Sequence, residues 1–133
     1  MNWKVHIDDV TEEPRQWCWN GNDYERFGKH VSVALGNSDT NRHPFDVELT
    51  RVAPGQVPCP VHCHSHWWEL FVVLSGEGEV HRNGKLHNVG AGDCFMQPAG
   101  IRHRIRNTSV SEDLVYYVIA NEVGENTTEK LLA

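Results

Sequence analysis

The sequence has no long apolar run, no basic excess and no convincing helical periodicity. Nothing in its 133 residues approaches the roughly 18 consecutive apolar residues of a membrane-spanning helix. Lys and Arg number 12 against 18 Asp and Glu, a net charge of −6. Binding nucleic acid through its phosphates, or docking on an anionic membrane face, needs the opposite sign. Cysteines are few: Cys18, Cys59, Cys63 and Cys94 lack the spacing of a disulfide framework, so free thiols in a reducing compartment are expected. The opening MNWKVHIDDV lacks the basic flank and apolar core of a secretory signal peptide. A cytoplasmic chain is therefore expected, in which the sequons at Asn107 and Asn126 go unused. No repeat, low-complexity tract or Ser/Pro linker divides the sequence, and its length suits one domain with its own core.

What is present is a series of short alternating or apolar runs with turn signals about every ten residues, the pattern of an all-β sandwich or barrel. FDVELTRV (45–52) alternates, with Phe45, Val47 and Leu49 on one face and Asp46, Glu48 and Thr50 on the other, and Pro54-Gly55 ends it. ELFVVLSG (69–76) is apolar nearly throughout, as a strand covered on both sides would be. Asn83-Gly84 between two short strands is a strong hairpin signal. CFMQ, IRHRIRN and DLVYYVIAN continue the series to residue 121. The first thirty residues differ: Trp3, Trp17, Trp19 and Phe27 sit among polar residues without clear periodicity. They read as an irregular N-terminal arm, packed on its own barrel or across a partner subunit.

One stretch concentrates the chemistry. CPVHCHSHWWEL (59–70) holds Cys59, Cys63, His62, His64, His66 and Glu69. A structural zinc knot built on the cysteines would draw a second pair of ligands from a separate knuckle, and Cys18 and Cys94 stand alone. In a strand, moreover, Cys63 points away from His62 and His64. The two histidines, at i and i+2, leave the same face about 6–7 Å apart and can converge on one ion. Glu69 has the wrong parity for a continuous strand, so a bend containing Trp67 and Trp68 must fall between His64 and Glu69.

Two spaced motifs then carry a resemblance. G-x6-H-x-H-x4-E-x6-G runs through Gly55, His62, His64, Glu69 and Gly76, and G-x5-P-x-G-x2-H-x3-N runs through Gly92, Pro98, Gly100, His103 and Asn107. In this order the pair resembles the two motifs of small single-domain bacterial cupins, the first one residue longer at its start than usual. The resemblance implies a cupin double-stranded β-helix, a jelly-roll barrel. Its core would lie over residues 45–121, preceded by the arm (1–30) and followed by a C-terminal tail (122–133). It also implies one divalent metal ion per chain, held by His62, His64, Glu69 and His103. Three imidazoles and a carboxylate without a thiolate suit Mn²⁺, Fe²⁺, Ni²⁺ or Zn²⁺.

His66 is the one histidine near these ligands without an assigned role. It either enters the pocket as an acid or base or sits in the loop in water. Arg102, Arg104 and Arg106 alternate with His103 and Ile105, so they face away from the ligands. Cys59 and Cys63 are expected on the outer side of their strand. Among cupins such ligand sets serve oxygenases, decarboxylases, isomerases and lyases, and also non-catalytic binding or sensing of a sugar or organic acid, so fold and metal leave the reaction open. A metal-dependent enzyme acting on a small oxygenated substrate is the leading expectation. Exposed sheet edges and the tryptophan-bearing arm add the expectation of a homodimer.

Overall fold

The computed structural model describes residues 2–121 and 124–132. The strands are β1 (Glu12–Trp19), β2 (Asn22–His30), β3 (Phe45–Val52), β4 (His62–His64), β5 (Glu69–Ser75), β6 (Glu77–Arg82), β7 (Lys85–Gly90), β8 (Cys94–Gln97), β9 (His103–Asn107), β10 (Leu114–Asn121) and β11 (Thr128–Lys130). A single helical turn, α1 (Val31–Ala34), and a 3₁₀ turn at Ile7–Asp9 are the helices among the described residues. One sheet has six strands in the order β1-β2-β3-β10-β5-β8, and the other has five in the order β11-β4-β9-β6-β7. Every named pairing is antiparallel. This is the expected all-β jelly roll.

The interior divides into an apolar plug and a polar half. Val52, Phe71, Val73, Val80, Ile105, Leu114 and Tyr116 form the buried cluster, with Phe71 stacked on Phe95 at 4.9 Å between ring centres. Further along the same strands the inward positions are Asp46, Glu48 and Thr50 on β3, and Val118 and Ala120 on β10. The alternation in β3 is real, but it is the polar face that turns inward. Thr50 is 2% exposed, whereas Phe45 is 53% exposed. The inward half of β3 borders a site, so the usual inside-apolar assignment is inverted there.

Asn107, the last residue of the second motif, pins the closed end. Its amide donates to the carbonyls of Val52 (2.9 Å) and Glu112 (2.7 Å) and accepts from Ser109 N–H (2.8 Å). Three partners in one buried side chain satisfy backbone groups that the irregular turn leaves open.

The N-terminal region is more regular than its pattern predicts. Residues 12–30 form the β1–β2 hairpin, in full register around Asn20-Gly21, and β2 then pairs with β3. Asn20 (φ 51°) and Gly21 (φ 78°) turn as Asn83 (φ 48°) and Gly84 (φ 81°) do in the β6–β7 hairpin. The same Asn-Gly signal marks both turns. The tryptophans obscured the first one because β1 is exposed on most of its length and shows no alternation. The hairpin packs on its own barrel, and Arg51 of β3 holds it with both Nη2 (2.6 Å) and Nε (3.1 Å) donating to the Glu12 carboxylate. At the other end of the chain, part of the expected tail is strand β11, paired with β4. Glu122, Val123 and Ala133 of that tail lie outside the described residues.

Gly76, which ends the first motif, joins β5 to β6 at φ 85°, and a Cβ there would run into the backbone of Asp113 and Leu114. Gly76→Ala combines an unfavourable φ with a backbone collision and is expected to cost roughly 2–4 kcal/mol. Urea unfolding measures it, and a loss below about 1 kcal/mol would show that the β5–β6 corner yields freely.

Candidate metal centre

His62 and His64 lie on β4, Glu69 opens β5 and His103 opens β9. The expected break between His64 and Glu69 is present, and it is held from the far end of the chain. Asn126 Oδ1 accepts from the backbone N–H groups of His66 (3.1 Å) and Trp67 (3.0 Å), and Asn121 Oδ1 accepts from Trp68 N–H (2.6 Å). Past this bend Glu69 faces back across the barrel. β4 pairs with β9 at His62 and His103, which brings the second motif's histidine onto the same face. One potential ligand atom from each of His62, His64, Glu69 and His103 lies within 4.8 Å of all the others.

Outer hydrogen bonds orient the rings. His62 Nδ1 lies 2.9 Å from Pro60 O and His103 Nδ1 lies 2.9 Å from Ile101 O. A carbonyl only accepts, so both Nδ1 atoms carry hydrogen, and in the neutral rings both Nε2 lone pairs point inward. His64 Nδ1 lies 2.9 Å from the Thr128 hydroxyl. Glu69 Oε1 sits 3.0 Å from both His64 Nε2 and His103 Nε2. For His103 this sets a lone pair against a carboxylate oxygen unless a cation, a proton or a metal ion, lies among them. Neighbouring donors about 3 Å apart are what an ion with bonds of about 2.1 Å requires. The donor set therefore fits a divalent ion.

The electrostatics agree. Burial pushes the Glu69 carboxyl up, but hydrogen bonds from His103 and His64, with their charge, outweigh it and hold the group well below the usual carboxylate range. Burial, aided by the positive charge of neighbouring His103 and His64, lowers His62 from 6.5 to about 4, against the opposing Pro60 hydrogen bond and Glu69 charge. An imidazole kept neutral is one ready to coordinate.

The cluster opens onto a cavity of about 390 Å³. Trp67 lines it, while Trp68 is 52% exposed. His66 does not line it: the ring is exposed, and its Nδ1 lies 2.8 Å from Ser65 Oγ. Of the two sequence alternatives for His66, the structure has the loop position. Cys59 is a correction. Its side chain lines the cavity, with Sγ 3.7 Å from His62 Nδ1, where an outward packing was expected. The turn Pro58–Pro60 precedes β4, so strand parity does not apply to it. Burial pushes its thiol up to about 11, so it stays protonated and a poor ligand. Cys63 faces outward as expected, toward Glu129 (4.0 Å). Arg106 pairs with Glu79 on the outer surface at 2.8 Å.

Sequence reasoning missed Thr128, which holds His64, and the cavity-lining Arg15, Trp17, Arg26 and Lys130. No motif marks them; only the Asn20-Gly21 signal could have shown that β1 returns over the barrel.

Fold and site together define a jelly-roll protein with an inward histidine–carboxylate cluster. The Cupin domain family matches residues 48–120, more than half of the sequence, and the chain belongs to it. It is 29% identical over 97 residues to quercetin 2,3-dioxygenase of Bacillus subtilis, covering 73% of this chain and 28% of that one. It is 36% identical over 59 residues to an oxalate-binding protein of Thermotoga maritima, covering 44% of this chain and 48% of that one. The chain thus spans less than half the length of these curated relatives. A cupin-superfamily sugar phosphate isomerase from Silicibacter pomeroyi superposes with a TM-score of 0.77 at 22% identity, over 96% of this chain and 81% of the other. That likeness shows the fold.

The site predicts a pH response in metal-free protein. In the unfolded chain His62 protonates near 6.5, in the fold only near 4. Between these values the unfolded state binds more protons, so stability falls as pH drops through this window, by on the order of 2–3 kcal/mol from this group. The depressed Glu69 acts in the same direction at lower pH: its contribution is present above 4.5 and is lost as pH falls through its folded value. Urea midpoints at pH 7 and pH 5 measure the upper window. His62→Phe should flatten the slope there, and an unaltered slope would mean that another group causes it.

Proposed function

We propose that the chain is a divalent-metal-binding cupin that acts as a small metalloenzyme on a small oxygenated organic substrate. One ion per chain, Mn²⁺, Fe²⁺, Ni²⁺ or Zn²⁺, would be held by His62, His64, Glu69 and His103. The observation that carries this reading is the inward His103 Nε2 beside the Glu69 carboxylate, with its other nitrogen committed to a backbone carbonyl. When bound, the ion supplies Lewis-acid polarisation of a substrate oxygen, or redox chemistry with dioxygen. The chain's own part is positional. Pro60 O, Ile101 O and Thr128 Oγ1 fix the three rings, and Phe71, Ile105 and Val118 limit water on the apolar side of the cavity.

With its exposed ring outside the cavity lining, His66 lends little support to a base for isomerase or lyase chemistry, which favours oxygenase or decarboxylase types. The dioxygenase relative supports this direction. The oxalate-binding relative favours a second reading, non-catalytic binding or sensing of a small organic acid. The functional unit is the barrel of residues 45–121, with the N-terminal region closing the cavity.

The proposed assembly is a homodimer. On the outer face of the six-stranded sheet, Tyr117 is flanked by Leu49 and Val72, and Ile119 by Val47 and Leu70. Leu74 (48% exposed) and Met96 (42% exposed) continue this apolar face. Such a face needs cover in water, and a second copy offers a matching one.

Elemental analysis of untagged protein, purified without chelator, tests the ion: about one metal per chain in wild type and a loss of at least tenfold in His103→Ala are expected. No metal in wild type after soaking would end the metalloenzyme reading. Light scattering tests the assembly: a mass near twice 15.2 kDa is expected, and a mass of 15.2 kDa at micromolar concentration would rule the dimer out.

A further inference from the structure

A second polar group stands on the cavity wall, apart from the histidine–carboxylate cluster. It consists of Arg15 and Trp17 from β1 and Lys130 from β11. The Arg15 guanidinium lies 5.3 Å from the centre of the Trp17 ring, and the Lys130 ammonium lies 5.4 Å from it. Neither cation has a carboxylate partner among the described residues. Trp17 Nε1 is buried without an acceptor, and so is Trp67 Nε1 on the same cavity. A buried N–H without a partner costs about 1–3 kcal/mol, so such groups call for an explanation. Both buried groups are donors, and the two cations beside Trp17, which are exposed, are donors as well.

Their position relative to the metal cluster follows from strand register. In the β4–β11 pair Lys130 is opposite His62, and Thr128 is opposite His64. Directly opposed residues share a face, so Lys130 leaves β11 on the side of the histidines. The intervening Glu129 pairs with Cys63 and faces outward. Apart from Glu69 in the cluster, the acidic groups of the cavity lie elsewhere. Asp46 and Glu48 line the β3 wall, and β2 separates β3 from β1 in the sheet, about 10 Å at the usual strand spacing. Glu48 is already engaged by the Thr50 hydroxyl (3.1 Å), Arg26 (4.0 Å) and His30 (3.7 Å). The β1–β11 side, whose cations have no carboxylate partner among the described residues, is thus the wall that draws an anion.

We propose that Arg15, Trp17 and Lys130 clamp an oxyanion at one end of the ligand, while the other end faces the histidine–carboxylate cluster. The ligand class is a small organic acid with an oxygen-chelating head and a terminal carboxylate. Trp17 gives its indole N–H to the carboxylate and holds the two cations over its ring. The cavity, about 390 Å³, takes a molecule of this size. The head half of this assignment rests on the metal centre proposed above; the clamp does not.

Calorimetry on zinc-loaded protein with 2-oxopentanedioate and 2-oxopentanoate, which share a head and differ by the terminal carboxylate, tests it. Wild type should bind the diacid about tenfold more tightly. In the Arg15→Gln/Lys130→Gln variant, whose sites are exposed and tolerant of change, the preference should fall below about twofold with the monoacid unaffected. Trp17→Phe should lower the preference partway, since the ring remains and the N–H is lost. Equal affinities in wild type, or a preference that survives in the double variant, would overturn the clamp, and zinc-dependent binding of the monoacid would leave the metal centre standing. If no zinc loads, the metal reading fails by itself, and pentanoate on metal-free protein decides the clamp. Tryptophan quenching that the double variant abolishes supports it, and no response up to about 10 mM, a limit of weak binding, refutes it.

Discussion

The contact on which the site depends is the one between His103 and Glu69. Because Ile101 O takes the Nδ1 hydrogen, the neutral ring offers Glu69 a lone pair at 3.0 Å. Two electron-rich atoms do not rest at that distance in a buried place without positive charge between them. His64 stands at the same distance from the same carboxylate oxygen, and His62 completes the group. The surrounding chain is arranged to hold this geometry. β9 delivers His103 opposite His62, the Asn126 and Asn121 side chains fix the bend that returns Glu69, and Thr128 ties His64 to the final strand.

The barrel accommodates a polar centre by separating it from its apolar plug along the same strands. On β3 the inward series runs Asp46, Glu48, Thr50, Val52, from cavity to plug. On β5 it runs Glu69, Phe71, Val73, and on β10 it runs Ala120, Val118, Tyr116, Leu114. One end supplies the apolar burial that stabilises the fold, and the other supplies a cavity in which charges can be paired. The apolar residues displaced from the inside of β3 join β5 and β10 in an outward apolar face.

Much of this was legible. The series of short runs gave the all-β class, Asn83-Gly84 gave its hairpin, and the parity mismatch between His64 and Glu69 required the bend that the structure contains. The paired motifs brought in His103 from 34 residues beyond Glu69, which local spacing alone could not do. Three matters were misjudged or missed for identifiable reasons. Alternation in β3 shows two faces without saying which is inside. The exposure of β1 hid a hairpin that Asn20-Gly21 marks. Cys59 sits in a turn, where strand parity has no hold.

By itself the sequence determined the fold class, because strand periodicity and turn chemistry are local properties of the chain, and the resemblance of its two spaced motifs to the cupin pair picked out the four clustered side chains. Only the structure decided which nitrogens face inward: the carbonyls of Pro60 and Ile101, two residues before His62 and His103, meet the Nδ1 atoms because of how the chain bends there, and the hydroxyl on His64 comes from Thr128 on the final strand. It alone put Arg15, Trp17 and Lys130 on one cavity wall. β1 and β11 lie near opposite ends of the chain, and no local pattern records that they meet around Trp17.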